Sequence, residues 1–517
     1  MNAYATIDSA FRAVAKATPD ATALVDGSMR VSYAELDDRV ARVAGGLAGL
    51  GARAGDRLAI WLPNSLEWAV AFLAASRIGA IVVPVNTGLS IDEASYVVGQ
   101  SGAGILVLPE IYRSRSYLPD ALKVRERLSP AELTLVLVGG SSDEVVAWAA
   151  LSAAEPIPRE AASASPDDPC VILYTSGTTG EPKGAVHSHR FLGPLMSAAA
   201  RLGLGPDDTV VLYLPMYHVY GLLAGLVMML LSGSRVVVMR QFDAATSLDL
   251  IESEQATIVF GVPTTYIDQL AVPDVAGRDL SAVRAAFTPF PPDLCRRVSQ
   301  VFGTCLNTYG MTETASIAFL ASLDDPLEDA IGTVGYPVDQ LDVRVADAST
   351  SQALPVGQVG ALLLRGPSIM THYFDKPAET ARARTQDGWF RTGDLASLDA
   401  AGRLSFHGRQ SDQLRVGGEM VDPVEIEMAL QSHPAVERAA VAGVADERLG
   451  QVPYAWVQPS PGAECEPAAL AEYVAPRLAW FKRPRRIVVV DSFPTTPSGK
   501  IQKYVLLADL DGAPAGE

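Results

Sequence analysis

Short apolar runs recur at residues 58–62, 80–85, 105–108 and 135–138, separated by helix-spaced or polar stretches. Runs this short and this continuous are expected of strands buried on both faces, where every side chain meets protein. Strands that alternate with helices join by crossovers and build parallel sheets covered on both sides. Residues 1–50 read as helix, strand pair, helix. Ser32 and Glu35 have the spacing of a capping box, and Leu36, Val40, Val43 and Leu47 follow on one helical face. A helix is expected over about 65–76. The same rhythm returns near the end. A helix opens at 423–427 and closes near His433, and 439–444, 454–457 and 487–490 read as strands. At 517 residues the chain has room for two or more domains.

The formal charge of −18 argues against a nucleic-acid surface, while leaving room for a local cationic nucleotide site. Cys170, Cys295, Cys305 and Cys465 have no metal-ligand spacing and fit thiols in a reducing cytoplasm. No basic-then-apolar leader is evident at the start. Residues 210–234 carry no Asp, Glu, Lys or Arg, yet Pro215, His218, Gly221 and Gly225 interrupt them. The clean apolar part, 222–231, is about half of the roughly 20 residues a membrane span requires, so a buried core helix is expected.

The chemistry concentrates at 174–184, Tyr-Thr-Ser-Gly-Thr-Thr-Gly-Glu-Pro-Lys-Gly, after the apolar run Val171, Ile172 and Leu173. Gly177, Gly180 and Gly184 permit close backbone approach, and successive N–H groups in such a turn form a nest for an anion. Thr175, Ser176, Thr178 and Thr179 add hydroxyl donors, and Lys183 adds a compact positive charge. The polyphosphate of a nucleotide is the natural guest. The glycine spacing is not that of a P-loop. A Ser/Thr/Gly surface loop is the competing reading of this stretch alone.

This stretch resembles the phosphate loop of the adenylate-forming superfamily, which includes acyl-CoA synthetases, aryl-CoA ligases, luciferases and peptide-synthetase adenylation domains. Further motifs follow in that family's order. In 214–221, His218 is either a satisfied core residue or, by resemblance, part of the substrate pocket. Peptide-synthetase adenylation domains carry an aspartate in this region, whereas here the segment has no carboxylate. That argues against an α-amino acid, whose ammonium would be buried without a partner. Residues 259–266 resemble the strand-turn that borders the acyl pocket. In 284–291, Ala286, Phe287 and Thr288 replace the small residues usual in relatives. The Phe287 ring either adds bulk to the site or points into the core. In 307–314, Tyr309 is suited to stack on adenine, Thr312 to bond a phosphate or the adenylate, and Glu313 to bind Mg²⁺. Thr308 stands where glycine is common. Together Phe287 and Thr308 lead to the expectation of a small or aromatic acid rather than a long fatty chain. In 388–395, Asp394 offers two acceptors for the ribose hydroxyls, although a T-G-D turn is also a plain turn former. By resemblance, Arg409 bonds ribose and phosphate, the domain joint lies at 408–419 with Ser411 in place of the usual pivot, and Gly417 and Gly418 let the pantetheine arm of coenzyme A pass. In 494–503, Lys500 matches the family's catalytic lysine. His187 and His189 are read as opening a helix, with a ligand role, by resemblance, as the equal alternative, and the tail beyond Leu510 is read as disordered.

The resemblance implies an α/β fold: a large N-terminal domain of stacked, mostly parallel sheets with covering helices, plus a small mobile α/β C-terminal domain. The expected boundaries are 1–408 for the adenylation core, 409–413 for the hinge and 414–517 for the lid that carries Lys500. The implied activity is AMP-forming ligation of a carboxylic acid to coenzyme A with ATP and Mg²⁺, in the cytoplasm, by a monomer or homodimer. Alternatives are another acceptor, through carrier-protein loading or nitrite activation for diazotisation of an aryl amine, and a nucleotide-binding protein without catalysis.

Overall fold

The computed structural model describes residues 6–128, 133–158, 164–175, 181–288, 292–410, 414–416, 419–446, 448–495 and 501–511. Contacts group the chain into two compact units, 1–342 with 364–390, and 343–363 with 391–517.

The first unit contains two large sheets. One has eight strands in the order His372–Tyr373, Lys183–Ser188, Pro169–Thr175, Ile81–Pro84, Arg57–Ile60, Ile105–Pro109, Thr134–Val138 and Val146–Ala147. It is parallel from Pro169–Thr175 onward and antiparallel at its His372–Tyr373 edge. The other has nine strands, with a parallel middle formed by Thr304–Tyr309, Ala285–Thr288, Ile258–Phe260, Thr209–Leu212, Arg235–Val238 and Thr22–Asp26. The four apolar runs that open the sequence reading are thus adjacent strands of one sheet.

Local signals set the helix starts. Ser32 and Glu35 form the expected capping box at the head of Tyr33–Gly49, and Ser65 caps Leu66–Arg77 by accepting from the Trp68 N–H. In Leu66–Arg77 every residue but Glu67 is buried, as in a helix enclosed by protein on all sides. That burial includes Arg77, whose guanidinium pairs with Asp8 at 2.7 Å and Asp37 at 2.5 Å.

The apolar stretch near 222–231 is a buried helix, as expected, but its first part, Tyr220–Met228, is a π-helix. Its glycines do not interrupt it. A Cβ on Gly221 would stand 2.3 Å from the Pro215 carbonyl oxygen, and one on Gly225 would stand 2.4 Å from Leu212 Cδ1. They are the contact points that let the helix lie against its own entry turn and strand. Among the described residues no helix is long and apolar enough to cross a membrane.

The second unit holds a four-stranded sheet, Asp342–Ala346, Gly360–Arg365, Phe390–Leu398 and Leu404–Arg409, with a hairpin closing over Asp399–Gly402. It also holds a five-stranded sheet, in which Val436–Asp446 and Gly450–Pro459 form a long antiparallel pair and Arg486–Val489 runs parallel to the latter. Pro423–Gln431 starts where expected, and the Asp422 side chain caps it by accepting from the Val424 N–H. Leu414, Val421, Ile426 and Val441 belong to one apolar cluster of this α/β unit, and Trp456, Phe493 and Leu506 to another. The last helix is Lys503–Asp511. The tail expected to be disordered lies, from 512, outside the described residues.

Candidate active site

The glycine-rich stretch joins two strands of one hairpin. Thr175 stands opposite Lys183 in the Pro169–Thr175 and Lys183–Ser188 pair, and its hydroxyl donates to the Lys183 carbonyl at 3.4 Å. A Cβ on Gly184 would lie 2.6 Å from Ile172 Cγ2, so close strand packing requires glycine there. Just past the loop, Glu181 pairs with Lys376 at 3.0 Å, and the Tyr96 hydroxyl reaches Glu181 at 3.2 Å and the Pro182 carbonyl at 3.1 Å. Ser176, Gly177, Thr178, Thr179 and Gly180 lie outside the described residues.

Strand alternation places Lys183, Ala185 and His187 on one face. His372–Tyr373 adds to that edge with Tyr373 opposite Ala185. Both His187 and Tyr373 meet the turn that carries Thr312 and Glu313. His187 Nε2 lies 2.7 Å from the Thr312 carbonyl oxygen, and Tyr373 Oη donates to Glu313 Oε1 at 2.7 Å. The Met370 N–H holds the Glu313 carbonyl at 2.8 Å, and Lys183 Nζ lies 5.3 Å from the centre of the Tyr373 ring.

His187 therefore sits in a strand, not at the start of a helix as expected. It is His189 that opens the helical turn His189–Phe191. Burial pushes both imidazoles down to about 4. A carbonyl only accepts, so the neutral His187 carries its proton on Nε2. His189 accepts the Ile7 N–H on Nδ1, which fixes its proton on Nε2 as well.

The turn at 310–316 is tight. A Cβ on Gly310 would overlap the Ser316 carbonyl oxygen at 1.5 Å, and Ala315 and Ser316 take φ of 54° and 83°. Such backbone persists where surrounding contacts over-determine it, and it clusters at functional sites. Tyr309 ends the preceding strand, almost wholly buried, with its ring edge-on to Phe319 at 5.9 Å. Among the described residues no three His, Cys, Asp or Glu side chains converge as a metal cage. Glu313 still fits Mg²⁺, because this ion takes one or two carboxylates and completes its shell with phosphate oxygens and water. Tyr373 occupies one carboxylate oxygen and leaves the chemistry of the other suited to the ion.

His218 lies half-buried between strand Thr209–Leu212 and the π-helix. Its N–H donates to the Pro215 carbonyl, and its own carbonyl accepts from Leu222. Phe287 resolves to the packed alternative. Its ring is fully buried and stacked on Phe260, with centres 5.0 Å apart, and Tyr220 stands edge-on to Phe260 at 5.7 Å. The Tyr266 hydroxyl closes this wall by donating to the Phe287 carbonyl at 3.0 Å. The Thr308 hydroxyl is likewise internal, donating to the Phe319 carbonyl at 2.8 Å.

In the second unit, Asp394 and Arg409 are register partners on adjacent antiparallel strands, and Arg409 Nε lies 2.8 Å from Asp394 Oδ1. Asp394 is 2% exposed, whereas the Arg409 side chain is 46% exposed. The carboxylate is thus anchored, and the guanidinium faces solvent. Gly408 beside them has φ of 82° and sits against the Asp422 carboxylate, which burial raises to about 6. Ser411, Gly417, Gly418 and Lys500 lie outside the described residues.

The sequence reading missed Tyr373 and the bond from His187 to Thr312. Neither has a spacing signal, because sheet register brings together residues 60 and 125 positions apart.

Residues 11–374 match the family model for AMP-binding enzymes, and 425–500 match that for the C-terminal domain of the AMP-binding enzyme. The mitochondrial medium-chain acyl-CoA ligase ACSF2 of Danio rerio is 34% identical over 97% of this chain and 88% of its own length. A feruloyl-CoA synthase of an Amycolatopsis species is 34% identical over 95% of this chain and 96% of its own length. The ATP-bound crystal structure of MatB from Rhodopseudomonas palustris superposes with a TM-score of 0.88 at 29% identity, over 98% of this chain and 99% of that one. The chain therefore belongs to the AMP-binding enzyme family and is an AMP-forming ligase of the acyl-CoA synthetase type, which works on a carboxylic acid with ATP, Mg²⁺ and coenzyme A.

Proposed function

We propose that the acid is small or aromatic, and that Lys183, Glu313, Thr312, Asp394, Arg409 and Lys500 divide the adenylation step among them. The likeness to a feruloyl-CoA synthase, 34% identical over 95% of this chain, carries the first part of this reading. The rings of Phe260, Phe287 and Tyr220 pack together behind the segment that resembles the acyl-pocket border and hold that wall in place. The relatives that act on feruloyl and medium-chain acyl groups are consistent with a pocket that varies along this wall.

A carboxylate lacks a leaving group and must first be joined to AMP. Its oxygen attacks the α-phosphorus of ATP, the bond to the bridging oxygen breaks, and pyrophosphate departs. Positioning and charge do the work in phosphoryl chemistry of this kind. Thr175 and its loop, with Lys183, hold the outer phosphates, and Thr312 bonds the phosphate or adenylate oxygen. Glu313 supplies the carboxylate for Mg²⁺, which offsets phosphate charge when bound. Tyr309 borders the adenine, Asp394 takes the ribose hydroxyls, and Arg409 turns from Asp394 toward ribose and phosphate. His218 lines the acid site. Lys500 bridges the carboxylate and the α-phosphate. In the second half-reaction the thiolate of coenzyme A attacks the acyl carbonyl past Gly418, and AMP leaves.

The joint at 409–413, between a core of 1–408 and a lid of 414–517, turns the C-terminal domain between the two half-reactions. Four thiols with no disulfide between them support a cytoplasmic setting. A screen of acids for pyrophosphate release, with and without coenzyme A and followed by mass spectrometry of the product, tests the reading. It expects acid-dependent release and an acyl-CoA from short or aromatic acids. Best turnover with C12–C18 acids would overturn the acid class, and release without acyl-CoA formation would overturn the acceptor.

A further inference from the structure

We propose that Tyr373 is a positioning residue that holds the Lys183 ammonium and the Glu313 carboxylate as one receptor for Mg²⁺-bound triphosphate. The inference rests on the phosphate and metal roles given above to those two residues.

Tyr373 is 8% exposed and stands on the edge strand of the eight-stranded sheet, opposite Ala185. It therefore shares a face with Lys183, two positions before Ala185, and reaches it as a diagonal neighbour. The two ends of the side chain have different partners. Its hydroxyl donates to Glu313 Oε1 at 2.7 Å in a buried setting, while Lys183 Nζ lies 5.3 Å from the ring centre.

These contacts suit opposite charges that must stay apart until substrate arrives. The phenol holds Glu313 by one carboxylate oxygen, so the other is not taken up by this contact. The ring attracts the ammonium through its π face without neutralising it, as a carboxylate partner would. Ala185 lies between Lys183 and His187 on the same strand, so no bulky side chain crowds the ring from that neighbour. The Met370 N–H fixes the Glu313 backbone, three residues before Tyr373. One short segment, 370–373, thus sets both the main chain and the side chain of Glu313.

The hydroxyl and the ring make separable predictions. Calorimetric titration of the full chain, with no acid present, measures affinity for ATP with Mg²⁺ and for ATP with chelator. Tyr373→Phe keeps the ring and loses the hydroxyl. It is expected to weaken Mg²⁺–ATP binding about tenfold, the scale of a hydrogen bond to a charged group, and to leave metal-free ATP binding unchanged. Tyr373→Leu removes both contacts and is expected to weaken metal-free ATP binding as well, by about threefold. A purely structural role would move both affinities together. Lys183→Ala and Glu313→Gln serve as references. If they weaken Mg²⁺–ATP binding while Tyr373→Phe does not, the proposal fails and the roles of the two residues stand. If neither reference has an effect, the underlying reading fails. Should Tyr373→Leu not fold, Tyr373→Met tests the ring, and Tyr373→Phe decides the hydroxyl in either case.

Discussion

His187 and Thr312 are 125 residues apart in the chain and meet at 2.7 Å, imidazole Nε2 to backbone carbonyl oxygen. The carbonyl belongs to the peptide that links Thr312 to Glu313, so the imidazole orients the residues that would meet phosphate and Mg²⁺. The expected consequence is a loss that a donor of similar reach can repair. His187→Leu should lower the adenylation rate about tenfold, as for one buried hydrogen bond removed. His187→Asn, which restores an N–H donor, should recover part of that. Acid-dependent exchange of labelled pyrophosphate into ATP measures the step. Equal rates for the Leu and Asn variants would count against the role.

Lys500 is assigned to the first half-reaction only. Lys500→Ala should cut adenylation by about 10²–10³, the usual cost of one aimed donor. Thioester formation from supplied acyl-adenylate should persist, because the role proposed for Lys500 ends once the adenylate has formed. Single-turnover assays of each half-reaction decide it, and equal losses in both would contradict the assignment.

The Phe260–Phe287 stack predicts a trade between stability and acid length. Phe287→Ala deletes a fully buried ring and should cost about 3–5 kcal/mol. The space opened beside Phe260 should shift the best substrate in a chain-length series toward longer acids. A variant that loses stability yet keeps the parent profile would show that the ring does not bound the pocket.

Buried neutral histidines make stability depend on pH. His187 and His189 are held down to about 4 by burial, against an ordinary 6.5. Between those values the unfolded chain binds protons that the folded chain does not. Their contribution is complete above pH 6.5 and is lost as the pH falls toward 4. The loss is about 2–3 kcal/mol per imidazole across the window. Asp422, raised to about 6 mainly by burial, has the opposite sign below pH 6 and offsets part of it. Urea midpoints at pH 7.5 and 4.5 should therefore fall with acidification, and less steeply in a His189→Gln chain. A midpoint independent of pH would refute this.

Much of the architecture was legible because its signals are local. The capping box at Ser32 and Glu35, the buried runs in the first sheet and the helix that opens at Pro423 each depend on residues within a few positions of one another. One local reading failed because neighbours in space, not in sequence, decided it. His187 carries the polar character of a helix start, yet pairing with Pro169–Thr175 continues its strand to Ser188. The buried helix over 222–231 was legible from its composition, whereas the contacts of Gly221 with Pro215 and of Gly225 with Leu212 were not.

The motifs singled out Lys183, Thr312, Glu313 and Asp394 as candidates, and the family resemblance added Arg409, because a nucleotide calls for such side chains. How the charges are held is a matter of register. Tyr373 reaches Glu313 across 60 positions, and Lys376 reaches Glu181 across 195. No short window contains such pairs. They follow only when an edge strand joins a sheet with Tyr373 opposite Ala185, where a slip of one residue would turn the phenol to the other face.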